Sequence, residues 1–96
     1  MATEESFKTS FWGGWIISSH GYSLRLAGRT GIEWRDAVGE LRIDSERMSK
    51  PSNMSVVYTR SIPDSPDRPR SEVLERLARA FEYAGWILKL EGPEID

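Results

Sequence analysis

The 96-residue chain is long enough for one domain with a single modest core, since a chain of this size hides roughly 60–65% of the surface that it exposes when unfolded. Hydrophobic residues make up 39% and charged residues 29%, with a net charge of −2, which excludes compositional disorder and gives no broad positive field for binding phosphates. There is no cysteine, which excludes disulfides and thiolate metal sites and fits a reducing cytoplasm. We expect one domain over residues 1–96, with frayed tails at 1–6 and 91–96.

Nothing in the sequence predicts a membrane segment. The apolar runs at 15–17 and 86–88 are too short to cross a bilayer, and residues 1–5 are acidic and lack the apolar stretch of a secretory signal. The expected location is therefore the cytoplasm.

The first part of the chain has the pattern of a β-meander. Segment 7–19 is apolar and aromatic, and Gly13 and Gly14 divide it into two strands. Alternating residues over 22–26, 32–35 and 40–44 predict three half-buried strands. The polar segment 45–53 predicts a loop, and the β-branched and aromatic segment 54–59 another strand. Large aromatics spread along a short chain usually pin its core together, which we expect of Trp12, Trp15, Trp34 and Trp86.

An amphipathic helix follows, with Ser71 as a suitable N-cap and Gly85 as a suitable residue to end it. Its apolar stripe is predicted to comprise Leu74, Leu77, Ala78 and Phe81. Two ion pairs are expected on its solvent side, Glu72 with Arg76 and Glu75 with Arg79. Segment 86–90 predicts a last short strand. The predicted fold is α+β, an antiparallel β-meander sheet of about five or six strands with the helix packed on one face.

The strand at 40–46 presents a charged face, because Leu41 and Ile43 alternate with the charged residues Glu40, Arg42, Asp44 and Glu46. Carboxylates at alternate strand positions lie roughly 6.5–7 Å apart, a separation that suits acid/base hydrolysis or a hard cation. Arg42 among the acids favours a solvated or partner-facing surface instead. We expect no catalytic residue, no metal ligand and no cofactor.

The proline-rich segment 60–70 is the second candidate contact surface. Proline at this density blocks both helix and sheet ladder, and a stiff loop loses little entropy on docking. A plain connector is the alternative and is slightly favoured. The candidate contact residues here are Arg60, Asp64, Asp67 and Arg68.

The remaining motifs favour turns over chemistry. His20 is the only histidine and precedes a glycine, so we expect a surface turn residue rather than a catalytic or zinc-binding one. The glycines at 13–14, 28 and 31 do not precede a helical pattern, as a phosphate-binding loop requires.

A small nucleic-acid-binding sheet is an alternative function, and an uncharacterised structural domain is another. Stacking on bases would require exposed aromatics beside basic residues, namely Trp12, Trp15, Trp34 and Tyr58 with Arg25 and Arg35. The acidic balance and the lack of a basic run argue against it.

The run Arg42-Ile43-Asp44-Ser45-Glu46, followed by Val57-Tyr58, Ser61-Ile62 and the closing helix, resembles a family of small bacterial immunity proteins encoded beside secreted polymorphic toxins. The resemblance covers residues 22–90. It implies a cytoplasmic, non-enzymatic protein that binds and neutralises one cognate toxin, and it supplies no catalytic residues. The expected partner is thus a toxin protein, without a membrane, and a homodimer through a sheet edge stays open.

Overall fold

The computed structural model describes residues 4–92. Its seven strands are β1 (Phe7–Thr9), β2 (Ile16–Ser18), β3 (Ser23–Leu26), β4 (Thr30–Arg35), β5 (Glu40–Arg47), β6 (Met54–Tyr58) and β7 (Ile87–Glu91). A short 3-10 helix spans Thr59–Ser61, and one α-helix, α1, spans Arg70–Ala84 between β6 and β7.

The strands form one sheet in chain order, from β1 to β7. Neighbours pair antiparallel from β1 to β6, whereas β6 and β7 pair parallel. β6 and β7 pair parallel because α1 connects them. The helix returns the chain to the end of the sheet at which β6 begins, so β7 runs in the same direction as β6. The predicted α+β class with a helix packed on the sheet is confirmed, but the sheet has more strands than the five or six expected and is mixed rather than purely antiparallel.

The inner face of the sheet carries the core beneath α1. Cross-strand partners on this face are apolar, such as Leu24 with Trp34 and Ile32 with Ile43, and all four are fully buried. Burying apolar area of this kind contributes about 25 cal/mol per Å² and is the main stabilising term. The outer face of the same strands is therefore polar by alternation.

The helix is present as predicted, but its buried stripe is rotated. Leu77 and Phe81 are buried as expected, whereas Leu74 is half-buried and Ala78 is exposed. The buried set is completed by Val73 and Ala80. Apolar residues occupy more than one edge of this helix, so the pattern alone does not say which edge meets the sheet.

The helix ends differ in how well the sequence predicts them. Gly85 has a φ of 76° and its N–H donates to the Glu82 carbonyl, which confirms the predicted stop. Ser71 is not the N-cap, since α1 begins at Arg70 and Pro69 occupies the N-cap position. Asp64 supplies the acceptor instead, because its Oδ1 accepts the Arg70 N–H at 2.9 Å.

Strand β5 runs to Arg47, so the loop begins at residue 48, three residues after the predicted start at residue 45. Ser45 is buried opposite Val57 and continues the alternation of inward-facing residues along the strand. Because serine is polar, a search for alternating apolar residues does not identify it as inward-facing.

Part of each predicted tail is ordered. The Ser6 carbonyl accepts the Ser19 N–H at 2.8 Å, and Glu5 is bonded to Ser18 and Tyr22. Glu91 closes β7. The other tail residues, apart from Glu4 and Gly92, lie outside the described residues.

Candidate functional site

The outer face of the sheet lies open to solvent, because α1 covers only the inner face in the described part of the chain. The predicted charged face of β5 lies here, with all four side chains exposed: Glu40, Arg42, Asp44 and Glu46. The strand alternation therefore places these residues as the sequence indicates.

Charged residues of neighbouring strands alternate in sign across this face. Arg25 on β3 faces Glu33 on β4, with Nε and Oε2 2.7 Å apart. Arg35 on β4 faces Glu40 on β5 with a separation of 3.3 Å between Nε and Oε1. The side chains of the first pair are about a third exposed and those of the second more than half exposed, so each pair contributes at most about 1 kcal/mol to folding.

Arg42 has a different environment from the other arginines of this face. Its Nη2 donates to the Thr30 carbonyl at 3.1 Å, and the guanidinium lies over Gly31, whose φ of 90° and missing Cβ leave the space for it. No carboxylate among residues 4–92 lies within ion-pair distance of Arg42. Its charge is therefore available to a partner.

Trp15 lies in the connection between β1 and β2 and packs against arginines of this face. The guanidinium carbons of Arg25 and Arg35 lie 4.7 and 3.7 Å from its ring centroid, which is cation–π geometry. A shallow pocket of about 490 Å³ lies beside the ring. Its charged lining consists of Arg25, Glu33, Arg35, Glu40 and Arg42.

The turn between β1 and β2 presents two aromatic side chains to solvent. Phe11 is 86% and Trp12 80% exposed, and their rings meet edge to face at 5.1 Å. We call this pair the aromatic tip. The expectation that Trp12 helps to pin the core is wrong, because the turn directs its side chain away from the sheet.

The backbone of the aromatic tip is held by several hydrogen bonds. The N–H of Ser10 donates to the Trp15 carbonyl at 2.7 Å, and the Ser10 hydroxyl donates to the Trp12 carbonyl at 2.7 Å. Gly13 has a φ of 82°, and its carbonyl accepts a long bond from Arg25 Nη1. The tip is thus a constrained turn beside the charged face. The two glycines indicate the turn in the sequence, but no sequence pattern shows that Phe11 and Trp12 point outward.

Of the other three tryptophans, Trp34 and Trp86 contribute to the core as expected, whereas Trp15 is nearly buried outside the core cluster. Trp34 is fully buried and stacks on Tyr22, with the ring centroids 5.0 Å apart. Trp86 packs edge to face on Phe81, and Trp15 is nearly buried beneath its two arginines.

The aromatic set required for stacking on nucleic acid is not assembled. Trp34 lies on the inner face of β4, so it cannot share a surface with Trp12. Tyr58 is exposed on β6, and its hydroxyl donates to Glu46 at 3.5 Å.

The loop after the 3-10 helix is held to the fold by two of its predicted contact residues. Asp64 accepts the N–H of Arg70 at the start of α1. Arg68 is only 13% exposed and binds Asp36 through two parallel hydrogen bonds of 2.7 and 2.9 Å. Arg68, predicted as a partner contact, is therefore engaged within the fold. Arg60 and Asp67 are exposed, as a contact role would require.

Asp36 lies at the centre of this anchoring. Two hydrogen bonds from Arg68 hold the pKa of the Asp36 carboxyl well below its usual range, against the opposing effect of burial, and the Trp34 indole N–H adds a third. The carboxylate is 6% exposed, so the ion pair is nearly enclosed.

His20 lies in the exposed turn after β2, as predicted, with Nδ1 3.9 Å from the Glu5 carboxylate. No group of three or more potential metal-ligating side chains occurs among residues 4–92. Within the same range, no helix has the length and apolar character to cross a membrane.

Comparison with models of protein families, with curated proteins and with solved structures gives no match to this chain.

Proposed function

We propose that this chain is a non-enzymatic protein-binding domain that contacts its partner through the aromatic tip and the adjoining charged face of β3–β5. The observation that carries the proposal is the exposure of Phe11 and Trp12 on a hydrogen-bonded turn next to the uncovered sheet. Large apolar side chains held in water are costly to keep exposed and characteristically become buried in an interface.

The two parts of this surface have complementary roles in binding. Phe11 and Trp12 each have few rotatable bonds, so they bury a large area at a low cost in entropy, and tryptophan is enriched among residues that dominate binding energy. Arg42, Asp44 and Glu46 are charged and exposed, which favours orientation and discrimination between partners over raw affinity.

The resemblance noted in the sequence supplies the class of partner, a cognate bacterial toxin that the domain binds and neutralises in the cytoplasm. A net charge of −2 would accelerate association with a basic toxin by electrostatic steering. The exposed Arg60 and Asp67 form a secondary contact region in this proposal.

The test measures binding of a catalytically inactive toxin, encoded by the neighbouring gene, to the purified chain by titration calorimetry. We expect Trp12→Ala and Phe11→Ala each to weaken binding by about 30-fold, the effect of losing roughly 2 kcal/mol at a central interface residue. Val38→Ala is the matched control, because Val38 is an exposed apolar residue in a different turn. Its affinity should equal that of the parent.

Equal affinity of the Trp12→Ala variant and the parent would remove the aromatic tip from the contact. Failure of the toxin to bind, together with failure of co-expression to relieve toxicity, would overturn the immunity role. Quenching of tryptophan fluorescence by single-stranded oligonucleotide at low salt, reduced in Trp12→Ala, would instead support the nucleic-acid alternative.

A further inference from the structure

The last strand of the sheet has an open edge. β7 pairs with β6 on one side, and no described strand pairs with its other side. The Ile87 N–H donates to the Asn53 carbonyl at 2.8 Å, and the Glu91 carbonyl accepts the Thr59 hydroxyl at 3.3 Å, so both residues bond towards β6. In a parallel ladder alternate residues bond to the same neighbour. Leu88 and Leu90 therefore direct their N–H and C=O groups to the open edge.

This edge is apolar as well as unpaired. Ile87 is 43% and Leu90 47% exposed, although both belong to a regular strand. The opposite edge strand, β1, has a half-buried phenylalanine and no exposed large apolar side chain. An open strand of five residues with exposed leucine is a template for pairing with another chain unless its charges oppose it.

The charges of β7 distinguish between two self-pairing registers. An antiparallel pair centred on Leu90 places the two Leu90 residues opposite each other and puts Lys89 of each copy opposite Glu91 of the other. An alternative centred on Lys89 would place two ammonium groups directly opposite, which is destabilising. We propose that β7 pairs antiparallel with β7 of a second copy in the Leu90-centred register, giving a two-fold symmetric dimer with one continuous sheet.

The geometry of β7 agrees with this register in two ways. The central Leu90 pair uses the backbone groups that point to the open edge, so it forms a hydrogen-bonded pair. Lys89 and Glu91 lie on the outer face beside Val56 and Tyr58. In this register Lys89 and Glu91 of the partner form a pair without backbone hydrogen bonds, the arrangement that brings opposing side chains closest. The register thus forms two ion pairs and two backbone hydrogen bonds between the copies. Each contact occurs twice, as the two-fold symmetry of an isologous interface requires.

The dimer edge and the aromatic tip lie at opposite ends of the sheet, since the tip joins β1 and β2. The proposed dimer contact and the proposed toxin contact therefore use different strands. The two proposals are independent, and each can fail while the other stands.

The test is sedimentation equilibrium of the full chain over a wide range of protein concentration. The parent should pass from 11.0 kDa to twice that mass as concentration rises. Lys89→Glu and Glu91→Lys each place like charges opposite each other twice, so each should weaken dimerisation by about tenfold or more. The double exchange Lys89→Glu with Glu91→Lys restores opposite charges and should restore the parent's dimerisation constant.

Lys8→Glu is the matched control, because Lys8 is an exposed lysine on the opposite edge strand. It should dimerise like the parent. A parent that stays at 11.0 kDa up to millimolar concentration would overturn the proposal. So would a double exchange that dimerises no better than the single variants. A monomeric parent whose toxin binding depends on Lys89 and Glu91 would show that the edge takes a strand of the partner instead.

Discussion

Among single residues, Asp36 joins two loops that lie far apart in the sequence. Its carboxylate accepts hydrogen bonds from Arg68, from the Trp34 indole and from the Val38 and Gly39 N–H groups. It thereby fastens the proline-rich loop to the turn between β4 and β5. The loop is consequently tethered to the fold, and in the proposed function its exposed residues have only a secondary role.

Replacing Arg68 with Ala should lower the free energy of unfolding by roughly 3 kcal/mol. The reason is that the Asp36 charge would remain enclosed without its partner, the situation in which breaking a buried ion pair is most costly. Urea unfolding at neutral pH measures the change. Asp67→Ala removes an exposed charge from the same loop and should stay within about 0.5 kcal/mol of the parent, and similar losses in both variants would argue against the tether.

The sequence identifies exposed residues better than it identifies their partners. The period of two on β5 was enough to place Glu40, Arg42, Asp44 and Glu46 on one face, because alternation is a local property of the strand. The pairing of Arg68 with Asp36 spans 32 residues, and no local pattern records it.

Among the elements, α1 has the most regular sequence pattern, and its core contacts depend on tertiary packing. The apolar residues of the helix predict that it covers a sheet, which the fold confirms. The rotation of the helix about its axis decides which edge of the apolar stripe is buried. Asp64 at its start and Gly85 at its end help to fix that rotation. The Trp86 N–H also donates to the Phe81 carbonyl at 2.8 Å, which directs the chain into β7.

Phe81→Ala should reduce stability by about 3–5 kcal/mol, since Phe81 is 1% exposed and packs against Trp86. The thermal midpoint by circular dichroism should fall accordingly. Glu82→Ala provides the control, because the neighbouring side chain points to solvent and its loss should change the midpoint little. An unchanged midpoint for the Phe81 variant would mean that this helix face does not hold the core together.

The sequence pattern predicts the turn of the aromatic tip but not the direction of its side chains. The two strands on either side of Gly13 and Gly14 were predictable, because paired glycines interrupt both helix and strand. The direction of Phe11 and Trp12 was not, since turn residues lie outside the alternation that separates inside from outside.

Across the whole molecule, the N-terminal segment is fastened to both the sheet and the helix. Glu5 accepts hydrogen bonds from Ser18, Tyr22 and Arg79, which belong to β2, the following turn and α1. Burial opposes ionisation of Glu5, but these three hydrogen bonds outweigh it and hold the pKa of the carboxyl below its usual range. An acidic chain start gives no sign of this role in the sequence, because the donors come from three separate segments.

The stability of the molecule should therefore fall on acidification. The folded-state pKa values of Glu5 and Asp36 are both depressed, so their contribution is fully present above the pKa of about 4 of an unfolded carboxyl and is lost as pH falls through and below that value. Urea unfolding from about pH 6 to about pH 3 should show a declining free energy of unfolding. In the double variant Glu5→Gln with Asp36→Asn, the amides cannot ionise, so the variant should be less stable at neutral pH and lose less stability on acidification. Glu75→Gln, an exposed change on α1, should keep the parent's pH slope. A double variant with the parent's slope would assign the acid sensitivity to other carboxylates.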